Sequence, residues 1–160
     1  MTKTRVPTQK RSIEKREKIV KAGFDLFCEK GYYKTNTAEI AKYAGVSTGA
    51  LYSYFEDKRQ IFIESFHQHL DAISSALLQQ LNSLPEQLDL STFIGKWIEV
   101  YIDLYAKSNH ALVQLRLVIV DDEEINHHFS DLENTYFSNI ADILKTRGIT
   151  CGDLFEKVYV

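Results

Sequence analysis

Two short helical patterns meeting at Gly45 limit what this chain can fold into more than any other feature. In residues 37–58, TAEIAKYAGVSTGALYSYFEDK, the apolar side chains of Ile40, Ala44, Val46 and Leu51 fall where two crossing helices bury them. Ala41 is small where the helices must approach closely, and Gly45 supplies the positive φ of a tight turn. Thr48 to Phe55 then suit a short second helix capped by Ser47. Its outer face is predicted to carry Thr48, Gly49, Tyr52, Ser53 and Tyr54. This is the helix-turn-helix pattern, in which the second helix enters a DNA major groove. The plainer alternative is an ordinary hairpin of two helices.

The rest of the chain is consistent with an all-α protein. It has only two prolines and seven glycines, and its apolar residues recur at helical spacing. Residues 1–11 (MTKTRVPTQKR) read as a polar, basic tail. Ser12 is placed to cap a first helix that ends at Gly31, with Ile19, Ala22, Phe24, Leu26 and Phe27 in its buried stripe. Asn36 and Glu39 form a capping-box pair for the second helix. Asp57 caps a long fourth helix from Lys58 to about Leu81. A fifth is expected from Ser91 or Thr92 to Ser108-Asn109, a sixth from His110 to Val120, and a seventh from Asp121 to Arg147. An eighth is expected to begin at Gly152.

Charge is unevenly spread. Residues 1–60 hold thirteen Lys and Arg against seven Asp and Glu, whereas residues 61–160 hold six against fifteen. A basic front end and an acidic body suit a chain whose first part alone meets a polyanion. The two cysteines, Cys28 and Cys151, have no metal spacing and no disulfide framework. No apolar run approaches the length of a membrane span, and no signal peptide is visible. A soluble, cytoplasmic protein is expected. Nucleophile–base motifs, phosphate-cradling glycine loops and HExxH are lacking, so catalysis is not expected.

The flanks of the helix-turn-helix, IVKAGFDLFCEKGYYKTNTAEIA and LYSYFEDKRQIF, resemble the tetracycline-repressor (TetR) family of bacterial transcription regulators. Phe27, Gly31 and Tyr32 match its Phe-x-x-x-Gly-Tyr ending of the first helix. Ile-Ala, Ala-Gly-Val-Ser, Leu-Tyr-x-Tyr-Phe and a lysine follow in order. The resemblance covers about residues 13–66. It implies a DNA-binding head at residues 12–57 and a helical ligand-binding and dimerisation body at 58–160. The body is expected to be incomplete, because the family's last two helices, which form its dimer bundle, would begin near residue 160.

The resemblance implies a double-stranded operator, a small-molecule effector that releases it, and a homodimer reaching two half-sites about one turn apart. Thr37 is expected at a phosphate beside a helix N-terminus. Ser47, Thr48 and Gly49 are expected at the entry of the recognition helix, with Ala50 and Ser53 offering a methyl and a hydroxyl to base edges. Tyr52, Tyr54 and Lys58 match positions that meet the backbone or a base. No Arg, Asn or Gln occurs on that helix, so shape and backbone contacts are expected to carry much of the specificity. A helical interaction module that keeps the fold without binding DNA is the other reading.

In the body, Phe62, Phe66, Trp97, Tyr101 and Tyr105 are candidates to line an effector pocket; the competing reading is plain core. No cofactor is implied. The run DDEEINHH at 121–128 places Glu123 with His127 and Glu124 with His128 at chelating spacing. Acids at a helix start favour its dipole, and that account is preferred over a metal site.

Overall fold

The computed structural model describes residues 10–85 and 89–148, without the side chains of Leu90, Leu104, Tyr105 and Asn109. Most of the expected tail, the connection at 86–88 and the expected eighth helix lie outside the described residues. Within them the regular structure is helical: α1 (Lys10–Lys30), α2 (Thr37–Ala44), α3 (Thr48–Tyr52), α4 (Lys58–Asn82), α5 (Leu90–Ile119) and α6 (Glu123–Thr146).

Four expectations need correction. Ser12 caps nothing, because α1 is already helical at Lys10, and the Ser12 hydroxyl instead shares a hydrogen bond with that of Tyr54. The recognition helix stops at Tyr52 rather than Phe55; the Ser53 hydroxyl donates to Ala50 O and closes the turn. The break expected at Ser108-Asn109 does not occur, and α5 runs unbroken through it. Serine and asparagine are only mildly poor helix formers, and neither removes a backbone donor as proline would. Asp89, rather than Ser91 or Thr92, caps α5: its carboxylate accepts from the Thr92 hydroxyl and amide, which lowers its pKa.

The contacts sort the chain into two compact units. The first holds residues up to Leu70 together with Asn109–His128, so it reaches past the boundary expected at residue 57. In it, α1 lies so close to α4 that a Cβ on Gly23 would come within 2.5 Å of Ile61 Cγ2. Around that approach runs a cluster of rings. Phe62 lies 4.4 Å from Phe66, 5.0 Å from Tyr32 and 5.2 Å from Phe27, centroid to centroid, and Phe24 extends the cluster from Phe66 to His69. Ala111, Leu112, Leu115 and Val118 of α5 and Ile125 of α6 are also buried.

The second unit holds Asp71–Ser108 and Phe129 onward. Its core is mostly aliphatic: Leu77, Leu81, Phe93, Ile140, Ile143 and Leu144, with Trp97, Val100 and Tyr136 packed against them. Arg147, just past α6, donates to the carbonyls of Leu81, Leu84 and Pro85 and lays its guanidinium over the Phe93 ring. It thereby satisfies carbonyls at the C-terminal end of α4 that have no partner within the helix.

Candidate nucleic-acid interface

The head is built from local devices that the sequence announces. Asn36 accepts from the Glu39 amide while Glu39 reaches back to the Asn36 amide, a complete capping box at the start of α2. Gly45 takes φ 69° and its amide closes the end of α2. Ser47 Oγ accepts from the Ala50 amide and starts α3. Ile40, Ala41, Leu51 and Phe55 fill the angle between α2, α3 and α1, none more than 1% exposed. Asp57 caps α4 through the Gln60 amide.

That internal packing turns the other side of α3 outward. Thr48, Gly49, Tyr52 and Ser53 are exposed, and Ala50 is half-buried. A Cβ on Gly49 would meet nothing within 4 Å, so nothing inside the protein requires a glycine there. The hydroxyls of Tyr52 and Thr37 share a hydrogen bond of 2.9 Å, which links the end of α3 to the first residue of α2. Tyr54 is half-buried and held through its hydroxyl by Ser12, 3.0 Å away on α1. Eight of the expected site residues, Thr37, Ser47, Thr48, Gly49, Ala50, Tyr52, Ser53 and Tyr54, thus belong to one compact group. Within it, the Ser47 and Ser53 hydroxyls already serve the α3 backbone.

Lys58 has another task. Its ammonium donates to Tyr32 O at 2.8 Å and Thr35 O at 3.0 Å and sits 4.2 Å above the Tyr32 ring. Burial lowers its pKa. Two of its three donors therefore pin the loop from which α2 starts. Thr35, 2% exposed, fixes the same loop by donating to Gly31 O.

Several residues that hold this head were missed from the sequence. Arg16 makes a two-pronged ion pair with Glu64 and lies over the Phe55 ring. Arg59 donates to Asp122 and Glu124, Tyr33 to Asp121, and His110 contacts the Cys28 carbonyl. These partners are 48 to 88 residues apart in the chain, and no local pattern signals them. Asp121, Asp122 and Glu124, three of the four acids in the run, are therefore engaged by the head, and no metal-holding group of three or more ligands occurs among the described residues.

The five candidate pocket residues are divided between the two units. Phe62 and Phe66 are fully buried in the ring cluster of the first unit. Trp97 and Tyr101 belong to the second, where the Trp97 indole donates to the Tyr136 hydroxyl. The Tyr105 side chain lies outside the described residues. Half-buried Cys28 has its thiol pushed up to about 11 by burial, which suits a packing residue.

A family model described as "Bacterial regulatory proteins, tetR family" matches residues 19–64. The HTH-type transcriptional regulator HbdR of Aromatoleum sp. (strain CIB) is 37% identical over 76 residues, 48% of this chain and 33% of its own length. The chain thus spans a third of that relative. The fatty acid metabolism regulator protein of Bacillus subtilis (strain 168) is 24% identical over 139 residues, 86% of this chain and 70% of its own. Among solved structures, a TetR-family protein from Mesorhizobium loti MAFF303099 superimposes with a TM-score of 0.77 at 20% identity. It covers 91% of this chain, which in turn covers 75% of it. That last likeness is one of fold.

Proposed function

We propose, from a head that belongs to the TetR family of bacterial regulatory proteins, that this chain is a DNA-binding transcriptional regulator. It acts as a repressor that a small-molecule effector releases from its operator. The observation that carries this reading is the outward face of α3: small residues, an open Gly49 and a tyrosine, on a helix whose Leu51 is buried on the opposite side. A surface this low lets backbone atoms come close to base edges, so methyl and hydroxyl contacts and groove shape do the reading. Thr37 and Tyr52, with linked hydroxyls, meet one phosphate beside the amino end of α2. Lys58 serves the same contact indirectly by fixing the loop that aims α2.

The working form is a cytoplasmic homodimer on a palindromic operator, because one α3 reads only a few base pairs. No helix among the described residues is long and apolar enough to cross a membrane. The effector is met in the second unit, by Trp97, Tyr101 and Tyr105.

Selection of bound duplexes from a random-sequence pool, followed by anisotropy titrations over a range of salt, tests the reading. A selected palindrome, with affinity falling log-linearly in salt, is expected. Failure to retain any duplex at low salt, by protein whose helical content is intact, would overturn it in favour of a helical interaction module.

A further inference from the structure

The stretch that joins α1 to α2 is gripped from two sides. From α4, Lys58 donates to the carbonyls of Tyr32 and Thr35. From the other side come α5 and the turn that joins it to α6. His110 Nε2 donates to the carbonyl of Cys28, one of the last in α1. The Gln114 side-chain oxygen lies so near Gly31 that a Cβ there would come within 3.2 Å of it. The Tyr33 hydroxyl donates to Asp121 at 2.9 Å. All of these residues belong to the first unit.

Asp122 joins the same turn to α4. One of its carboxylate oxygens accepts from the Ile125 amide at 3.2 Å and caps α6; the other accepts from Arg59 Nε at 2.9 Å. A single side chain, 15% exposed, thus starts α6 and ties it to the residue next to Lys58.

These contacts do little for stability, since pairs this open to water stabilise a fold only slightly. Tyr33 is 62% exposed, so packing alone does not place it. What the contacts do is fix a path. Residues 31–36 lie outside any helix and run straight into the capping box at Asn36. Thr37, the next residue, shares its hydroxyl with that of Tyr52. An error in the path of the loop becomes an error in the position of Thr37, and hydrogen bonds tolerate only tenths of an ångström.

We propose that the α5–α6 turn aims α2 on DNA, with Tyr33 and Asp122 as positioning residues for Thr37. The proposal rests on the phosphate contact given to Thr37 above.

Tyr33→Phe removes only a hydroxyl. Asp122→Asn removes the charge held by Arg59 and keeps a good helix cap. The two are combined in the full-length chain, with and without Thr37→Val, and amide exchange and duplex anisotropy are measured on each protein. Exchange in residues 31–39 is expected to quicken several-fold, with residues 19–27 of α1 unchanged. Duplex affinity is expected to fall several-fold, although the loss of an acidic charge acting at long range would strengthen binding to a polyanion. With Thr37→Val already present, the same pair is expected to leave affinity nearly unchanged, because the contact it serves is gone. Equal losses in the two backgrounds would make the role merely structural and overturn the proposal. Unaltered exchange would overturn it as well, with the DNA reading left standing. Failure of the unsubstituted chain to retain any duplex would instead remove that reading, and the role of Thr37 with it, whatever the exchange shows.

Discussion

The two units are held together in different ways. The first relies on individual residues in fixed roles: a capping box at Asn36 and Glu39, a left-handed Gly45, a lysine bound to two carbonyls, and a glycine where α1 meets α4. Its core sets a cluster of interlocking rings among aliphatic side chains. The second relies on aliphatic packing in which no one contact stands out, apart from Arg147 at its end. Fixed roles hold a surface in one geometry, which a reading helix needs. Diffuse packing holds together while allowing side chains to adjust, which suits a unit that meets an effector.

The same substitution made once in each unit is the sharpest way to break this contrast. Phe62→Leu forfeits three ring pairs worth about 0.5–1.5 kcal/mol each beyond buried area, so a loss of about 2–4 kcal/mol is expected. Phe93→Leu leaves an aliphatic neighbour among aliphatic side chains and is expected to cost about 1 kcal/mol. Urea denaturation followed by circular dichroism measures both. Equal losses would erase the distinction.

Lys58→Met comes next. Removing two charge-assisted hydrogen bonds to backbone carbonyls is expected to cost about 1–2 kcal/mol of stability. The salt slope of duplex binding should stay unchanged, because the ammonium is directed inward. A slope reduced by roughly 1 would restore the phosphate contact read from the sequence.

Gly49→Ala separates fold from recognition. Alanine gains helix propensity over glycine by about 0.5–1 kcal/mol in an interior position and less in so short a helix, so stability should hold or rise slightly. Duplex affinity should fall about tenfold, or ~1.4 kcal/mol, because the new methyl stands between α3 and the groove. Unchanged affinity in anisotropy titrations would mean that the outward face of α3 is not the reading face.

The contrast also explains what could be read in advance. In the head the signals are short-range: Asn36, Ser47 and Asp57 each cap the helix that follows three residues or fewer away, so their roles were legible. The partners that fix its geometry, Arg16 to Glu64, Ser12 to Tyr54 and Lys58 to the Tyr32–Thr35 loop, are distant in sequence and were not. Ser12 and Lys58 were even given other roles, because each sits where a cap or a phosphate ligand is commonly found. In the body only periodicity was available. It located α4 to within a residue but broke α5 at Ser108-Asn109, where weak local preference is overridden by apolar residues on either side.

The smallest expected effect concerns acid. All five histidines belong to the first unit, so the response between pH 5 and 7.5 should originate there. His69 is the one to test. Its ring lies tilted against Phe24 at 4.7 Å between centroids, burial lowers its pKa, and its Nε2 has no hydrogen-bond partner among the described residues. The folded state therefore binds the proton less readily than the unfolded chain, whose imidazole titrates near 6.5. The stability this confers is complete above that value and is lost as pH falls through it toward the depressed folded pKa. His69→Phe keeps a ring against Phe24 and removes the titration. Melting temperature plotted against pH should fall less steeply in the variant, by on the order of 1–2 °C at pH 5 relative to wild type. Identical curves would show that His69 does not carry the acid response.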